Sequence, residues 1–197
     1  MKLYASPTSP YARLVRIVLA EKDVSEQVET VWVNPWEDDP ALLAVSPFAR
    51  VPALEEDGTV ITESVVIATY LERRFPTPAL MPGDRLARVC HKLSLGEGLL
   101  DAAVGVVAAL RYGGASVEDP LVKRRKAAVE RAVPRLADAG VGSPDEPDLG
   151  DLAVGVALAY LSFRMPEVDW RGAEPGLSEW LERLEERGAF STTRPDA

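Results

Sequence analysis

The sequence contains few of the side chains that bind metal ions or cross-link a chain. Its 197 residues include one cysteine, Cys90, and one histidine, His91. A single cysteine excludes an intramolecular disulfide and a cysteine-cluster metal site, and a single histidine excludes a histidine-rich one. We therefore predict a protein that holds no metal ion.

The sequence also lacks a long uncharged apolar run and an excess of basic residues. No such run approaches the ~18 residues of a membrane span, and residues 1–4 lack the apolar stretch of a signal peptide. The expectation is a soluble cytoplasmic protein that does not bind membranes. A formal net charge of -9 argues against a general affinity for nucleic acid. The densest basic run, Lys123-Arg124-Arg125-Lys126, spreads around a helical turn and is typical of a solvated face.

Composition and its one abrupt change indicate two folded domains. Apolar residues make up 47% of the chain and charged residues 27%, the balance of a globular protein that buries a core. Between residues 76 and 83, three prolines and a glycine support neither helix nor strand. We predict a first domain over residues 1–76, a linker over 77–83 and a second domain over 84–197.

The first domain alternates between strand and helix patterns. The predicted strands are 3–5, 28–33, 51–54 and 59–61. The predicted helices begin at Pro10, at Pro40 and after Ser64, which we expect to cap a helix through Phe75. The turn sequence Glu55-Glu56-Asp57-Gly58 makes the last two strands a hairpin. This order of elements predicts an α/β domain of the thioredoxin-like type, a mixed sheet covered by helices.

Every strong pattern after the linker is helical. The predicted helices are about 84–111, 120–139, 149–163 and 177–186. Pro134 lies inside the second of these, and we expect it to kink or shorten that helix because proline has no amide donor. Asp148 and Asp151 have the spacing of a capping box at the start of the third. The second domain is therefore predicted to be all-α.

The segment Thr8-Ser9-Pro10-Tyr11 joins the first strand to the first helix. A helix N-terminus presents free amides and about half a positive charge, and so stabilises an anion such as a thiolate. The Ser9 hydroxyl could donate a hydrogen bond to that sulfur, and such a bond lowers the pKa of a thiol. The alternative is structural, since Ser followed by Pro is a common way to begin a helix.

Two further segments could bind the ends of a small peptide. A cis bond before Pro52, in Arg50-Val51-Pro52, would leave the backbone of Val51 free to pair with an extended peptide. Glu63-Ser64 could hold an ammonium group on Glu63 and a carboxylate on Ser64 and the helix amides. An edge proline and an ordinary helix cap explain the same residues without a ligand.

Together these motifs resemble the N-terminal domain of the glutathione S-transferases. The residues that carry the resemblance are Ser9-Pro10-Tyr11-Ala12-Arg13, Arg50-Val51-Pro52-Ala53-Leu54, and Glu63-Ser64 with Ile67 and Tyr70-Leu71. In the second domain, residues 148–153 resemble the capping motif of the family, and residues 159–164 resemble a small bacterial subgroup. The resemblance covers nearly the whole chain.

The resemblance implies that glutathione is a co-substrate. The implied glutathione-binding residues are Ser9, Arg50, Val51, Pro52, Glu63 and Ser64. Ser9 takes the position of the catalytic Ser or Cys of the family and would activate the glutathione sulfur. Val51 would pair its backbone with the cysteinyl unit ahead of a cis Pro52, so we predict a cis Val51–Pro52 bond. Glu63 and Ser64 would hold the γ-glutamyl end. The implied activity is transfer of glutathione to a small electrophile, as in detoxification, by a homodimer.

The resemblance also implies a pocket for the electrophile, lined in part by the first helix of the second domain. Its implied residues are Thr8, Tyr11, Glu97, Leu100 and Asp101. Asp101 could act on the second substrate or serve only packing. Two glycines in this helix, Gly96 and Gly98, need a packing or functional reason. Adjacent helical residues point ~100° apart, so we expect a buried Cys90 and a partly exposed His91 rather than a catalytic pair.

Two other functions stay open. One is a non-catalytic module for protein interaction, which the joint retention of Ser9, Val51-Pro52 and Glu63-Ser64 counts against. The other is a reductase or dehalogenating enzyme that uses glutathione as reductant, which Ser9 disfavours because a serine cannot form a disulfide. A fold alone does not settle the reaction.

Overall fold

The computed structural model describes residues 1–195 as two compact units. One unit contains Met1–Leu80 together with the segment that begins at Arg187, and the other contains Met81–Glu186. The chain thus divides inside the segment 77–83. The last residues were predicted to belong to the second domain, whereas the segment from Arg187 groups with the first unit.

A four-stranded mixed sheet forms the centre of the first unit. Its strands are β1 (Lys2–Ala5), β2 (Glu29–Trp32), β3 (Ala53–Glu56) and β4 (Thr59–Thr62). Their order is β2-β1-β3-β4; β1 is parallel to β2, and the other two pairs are antiparallel. Pairing of β3 begins at Ala53 rather than at the predicted Val51, because Pro52 has no amide hydrogen to give to a ladder.

Helices cover this sheet and build the second unit. They are α1 (Pro10–Glu21), α2 (Pro40–Leu43), α3 (Ser64–Arg74), α4 (Leu86–Arg111), α5 (Pro120–Asp138), α6 (Leu149–Arg164), α7 (Trp170–Ala173), α8 (Pro175–Glu185) and α9 (Gly188–Ser191). Short 3-10 turns lie at Ser25–Gln27 and Gly83–Arg85. The fold class is confirmed: a small mixed sheet with helices is followed by a helical unit.

Helix α1 begins where the sequence predicts. Ser9 occupies the N-cap position, and its Oγ accepts a hydrogen bond from the Ala12 amide at 3.2 Å. Pro10 is the first helical residue, where its missing amide hydrogen costs nothing. Leu14, Val15 and Val18 fall on one face and are fully buried.

The C-terminal segment packs against α1. Phe190 of α9 is fully buried, and Arg13 is almost fully buried beside it. The Nη2 of Arg13 donates to the Phe190 carbonyl at 3.2 Å, and its Cζ lies 5.4 Å from the centroid of the Phe190 ring. A buried guanidinium needs such acceptors. This packing explains why the last residues belong to the first unit.

Helices α4 and α6 pack closely in the second unit with their starts side by side, since Lys92 contacts Asp151 and Gly96 lies against Ala153. A Cβ at Gly96 would lie 2.8 Å from the backbone carbon of Ala153, which is closer than real Cβ atoms come to other atoms. Gly96 therefore permits the two helices to touch. Gly98 has open space around its Cα, so packing does not account for that glycine.

A buried charged triad joins the starts of these two helices. Asp148 and Asp151 form the predicted capping box, with N–H···O distances of 3.0 and 3.1 Å. The third member, Lys92 of α4, was not predicted. Its Nζ lies 2.8 Å from Asp148 Oδ2 and 2.6 Å from Asp151 Oδ1.

One helical stretch of the described chain, Gly83–Arg111, has the length and composition of a membrane span. Its most apolar 18-residue window has a mean hydropathy of 1.7, and a third of that window is buried within the structure. The carboxylates of Glu97 and Asp101 interrupt it, so no uncharged run of this length was visible in the sequence. Packing of α4 against α5 and α6 accounts for the buried part of this window.

Three expectations about single residues were wrong: that Cys90 is buried, that Pro134 shortens its helix, and that Ser64 caps α3. Cys90 is exposed rather than buried, because α4 turns Val89, Lys92 and Leu93 inward instead. Helix α5 continues through Pro134 to Asp138. Pro134 and the residue one turn before it are both exposed, so solvent can satisfy the carbonyl that loses its donor.

The third correction concerns the start of α3. Glu63 occupies the N-cap position and Ser64 is the first helical residue, so the helix is not capped by Ser64. The Glu63 side chain makes no capping hydrogen bond.

Candidate functional site

The strand register brings the three motif-bearing segments to one end of the sheet. Tyr4, Ala53 and Thr62 lie side by side across β1, β3 and β4. Ser9 follows the end of β1 after a short turn, Val51-Pro52 comes directly before Ala53, and Glu63 comes directly after Thr62. The topology therefore clusters these backbones, although they are up to 54 positions apart in the chain.

The Ser9 side chain has hydrogen-bonding capacity beyond its cap. Its oxygen accepts from Ala12, and a hydroxyl also carries one hydrogen to donate. Ser9 is half-buried, as are its neighbours Thr8 and Tyr11. The first turn of α1 contains no acidic residue that would compete for its free amides. An anion next to Ser9 would meet a hydroxyl donor and the positive end of the helix.

The segment before β3 presents main chain rather than side chain. The Val51–Pro52 bond is cis, as predicted. Val51 lies outside the β3 ladder, which begins at Ala53, and its side chain packs in the core with Leu42. Arg50 is exposed, and its amide donates to the Ser46 Oγ at 3.4 Å. The Arg50 guanidinium therefore lies on the surface, next to the buried residue Val51.

Glu63 has an unusual backbone conformation at this end of the sheet. Its φ angle is 69°, a left-handed value that costs a non-glycine residue of order 1–3 kcal/mol. The Glu63 side chain is exposed, whereas Ser64 is only 4% exposed. Strained backbone conformations of this kind cluster at ligand sites, because the direction of the side chain there is worth the conformational energy that it costs. No signal in the sequence revealed this conformation.

The five residues of the predicted electrophile pocket belong to different units. Thr8 and Tyr11 are in the first unit, and the other three lie on α4 in the second. Glu97 is half-buried and Asp101 is exposed, while Leu100 is fully buried. Among the described residues, no group of three or more His, Cys, Asp or Glu side chains is arranged to hold a metal ion.

Comparison with known families matches both units. Residues 3–79 match the glutathione S-transferase N-terminal domain, and residues 119–183 match the glutathione S-transferase C-terminal domain. The chain is 32% identical over 202 residues to the uncharacterized GST-like protein YibF of Escherichia coli, and the match spans 99% of this chain and 98% of that one.

Two solved structures extend the comparison to three dimensions. A glutathione S-transferase of Methylobacterium radiotolerans, in complex with glutathione sulfonate, is 33% identical with a TM-score of 0.89, covering 100% of this chain and 95% of its own. A glutathione transferase family member of Pseudomonas fluorescens, with bound glutathione, is 30% identical with a TM-score of 0.92, covering 100% and 99%.

Proposed function

The chain belongs to the glutathione S-transferase family, and on that premise we propose that it binds glutathione and transfers its sulfur to a small electrophile. The observation that carries the proposal is the meeting of Ser9, Val51-Pro52 and Glu63-Ser64 at one end of the sheet. Relatives that match nearly the whole chain were solved with glutathione or its derivatives, which supports this choice of ligand.

Each segment has a separate task in the proposed complex. The main chain of Val51 pairs with the cysteinyl unit of glutathione, as an extended peptide pairs with a strand edge. Ser64 and the first amides of α3 hold the γ-glutamyl carboxylate, while Glu63 holds the ammonium group. Arg50, exposed beside Val51, provides a positive charge near the peptide.

The task of Ser9 is to favour the thiolate form of the bound sulfur. Its hydroxyl donates to the sulfur while its oxygen keeps the bond from Ala12. A thiol with a pKa near ~8.5 needs a fall of only ~1–2 units to be mostly ionised at neutral pH. The thiolate then forms a bond to the electrophilic carbon, the leaving group departs with its electron pair, and the thiol proton passes to solvent.

The remaining parts of the proposal concern the second substrate and the assembly. Thr8, Tyr11, Glu97, Leu100 and Asp101 are proposed to surround the electrophile. We place the protein in the cytoplasm as a soluble homodimer, on the strength of its family membership.

Calorimetric titration tests the ligand, and a rate assay tests the reaction. Glutathione, glutathione disulfide and an S-alkyl glutathione are titrated into the full chain, and conjugation of a chloronitrobenzene is followed by absorbance. Binding of glutathione together with turnover supports the proposal. If glutathione binds but none of a panel of electrophiles is turned over, the proposal of transferase activity is wrong. If none of the three ligands binds, the proposal of a glutathione site is wrong.

A further inference from the structure

The first turn of α1 is closed by two consecutive amides that both donate to Ser9. The Ala12 amide donates to the Ser9 Oγ at 3.2 Å, and the Arg13 amide donates to the Ser9 carbonyl at 2.9 Å. The position of these two residues therefore fixes the position of the Ser9 hydroxyl. The side chain of one of them, Arg13, is itself held by a distant part of the chain.

The guanidinium of Arg13 is held by the C-terminal segment, residues 187–195. Its Nη2 donates to the Phe190 carbonyl at 3.2 Å, its Nε donates to the Thr193 Oγ1 at 3.5 Å, and its Cζ lies 5.4 Å from the centroid of the Phe190 ring. The Thr193 hydroxyl donates in turn to the Ala189 carbonyl at 2.7 Å, which orients its oxygen as an acceptor. Arg13 is only 4% exposed. A planar guanidinium with these partners is fixed in one orientation.

Packing alone does not require an arginine at this position. Leu14 and Ile17 of the same helix are fully buried and apolar, and removing a cation from water costs far more than removing side chains of that kind. An apolar side chain would fill the space beside Phe190 but would make no directional contact with it. The hydrogen bonds of Arg13 add direction, because they set the rotation of α1 relative to the Phe190 carbonyl.

The C-terminal segment makes another charged contact with α1 at the far end of the helix. The carboxylate of Glu21, the last residue of α1, accepts two hydrogen bonds from Arg187, at 2.6 and 2.9 Å. Since an α-helix has about 3.6 residues per turn, Arg13 follows Ser9 by about one turn and Glu21 follows it by more than three. Of these two contacts, the one through Arg13 is next to the cap.

A side chain at the end of a helix keeps one position only if the terminal turn is held closed. Terminal turns open easily because their outer backbone groups lack partners within the helix, and Pro10 contributes no amide hydrogen. A group that acts on a reacting atom must stay within about 0.5 Å of its working position. Arg13 supplies this restraint from one turn away, through the hydrogen bonds that close the first turn on Ser9.

We infer that Arg13 is a positioning residue for Ser9, an inference that rests on the proposed function. Its guanidinium, fixed by the Phe190 carbonyl and the Thr193 hydroxyl, keeps the first turn of α1 closed. The Ser9 hydroxyl thereby stays in place to donate to the glutathione sulfur. In this role Arg13 acts through Ser9 and not on the sulfur itself, and the C-terminal segment takes part in activating the thiol.

Ultraviolet titration of the bound thiolate tests this role. Arg13→Met removes the donors and keeps an unbranched side chain, and we expect it to raise the pKa of the glutathione thiol in the complex by about 0.5–1 unit. Arg13→Lys restores one charged donor and should recover part of the change. Thr193→Val removes only the hydroxyl and should raise the pKa by less, and it carries the test if Arg13→Met does not fold. The Kd for glutathione should stay within about threefold in each variant, because Val51 and Glu63 lie on other elements.

Two comparisons separate positioning from a general loss of stability. Glu21→Gln is the matched control, because it breaks a charged contact of the same C-terminal segment far from Ser9, and it should leave the pKa of the bound thiol within about 0.2 unit. In a Ser9→Ala protein, Arg13→Met should raise the pKa no further, since the hydroxyl that it positions is gone. An equal rise with and without Ser9 would mean that the charge of Arg13 acts on the sulfur directly, and would overturn the inference. An equal rise in Glu21→Gln, or no rise in folded Arg13→Met, would overturn it too.

Amide hydrogen exchange, followed by nuclear magnetic resonance without glutathione, separates this inference from the proposed function. Ala12 is fully buried, so its amide exchanges when the first turn of α1 opens. We expect exchange at Ala12 to be about tenfold faster in Arg13→Met, as for a lost hydrogen bond of a charged donor, and within about twofold of the original in Glu21→Gln.

The two measurements fail in different ways. If the original protein does not bind glutathione, the proposed function is contradicted, and faster exchange in Arg13→Met alone still supports the positioning of Ser9 by Arg13. If Ala12 exchanges at the same rate in Arg13→Met and Glu21→Gln, the inference is overturned whether or not glutathione binds.

Discussion

The Nζ of Lys92 lies 2.6 Å from the Oδ1 of Asp151, with side chains only 5% and 1% exposed. The same carboxylate oxygen also accepts from the Gly142 amide at 2.8 Å. One buried contact thus joins α4, the start of α6 and the loop between α5 and α6. Breaking it leaves carboxylates in a low-dielectric interior without their cation.

We expect Lys92→Met to lower the free energy of unfolding by about 3–5 kcal/mol, because Asp148 and Asp151 lose their buried partner. Urea unfolding followed by circular dichroism measures it. Lys123→Met is the matched control: Lys123 also lies 2.6 Å from a carboxylate, on Glu118, but both side chains are exposed. That change should cost less than about 1 kcal/mol, and equal losses in the two variants would contradict a special role for the buried triad.

Ser9→Ala should raise the pKa of the glutathione thiol in the complex by about one to two units, while most of the affinity remains. It should also lower stability by about 1 kcal/mol, because the Ala12 amide loses its cap. Ultraviolet absorbance of bound thiolate against pH measures the first effect and thermal melts the second. Asp169→Ala removes the cap of α7, where Asp169 accepts from Gly172 at 3.0 Å, and serves as control. A lower melting temperature together with an unchanged pKa of the bound thiol would show that Ser9 acts only as a helix cap.

Glu63→Ala should weaken glutathione binding by about 2 kcal/mol, or roughly thirtyfold in Kd, because the ammonium group of the ligand loses its partner. Calorimetry measures the change. Glu56→Ala is the control, since Glu56 pairs with Thr59 at the opposite end of the sheet. An unchanged Kd in a folded Glu63→Ala protein would remove Glu63 from the site.

Tyr160 should be a late tyrosine to ionise, with a pKa of about 12 that burial raises. Since the folded value exceeds the unfolded value of about 10, the stability linked to this group is present below pH ~10 and is lost between pH ~10 and ~12. Phenolate absorbance against pH, recorded with rapid mixing, shows the step. Its amplitude should fall in Tyr160→Phe and stay unchanged in Tyr112→Phe, while Tyr4, whose pKa burial also raises, contributes in both variants. An amplitude that Tyr160→Phe leaves unchanged would contradict the assignment to Tyr160.

Local patterns predicted the elements that local interactions determine. Ser9-Pro10 predicted the start of α1, and Asp148 with Asp151 predicted the capping box, because both signals act within four residues. The family resemblance supplied the cis bond before Pro52, and the proline-rich break at 76–83 indicated the division into two parts. The role of the motif residues in binding stays a prediction.

Contacts between distant segments could not be predicted in this way. Lys92 lies 56 positions before Asp148, and Arg13 lies 177 positions before Phe190, so neither pair leaves a periodic signal. Cys90 was misjudged because residue type alone sets a burial preference, whereas the neighbours Val89 and Leu93 decide which face of α4 turns inward.

The return of α9 to α1 also governs when the first unit can be completed. A ribosome releases the chain from its N-terminus onward, so all the strands emerge long before Phe190 does. Until then the guanidinium of Arg13 lacks the carbonyl to which it donates a hydrogen bond in the folded protein, and the part of α1 that Phe190 covers is exposed to solvent. The packing around Arg13 is therefore completed only after Phe190 has been made, and a protease that removes the segment from Arg187 onward damages the part of the protein that was made first.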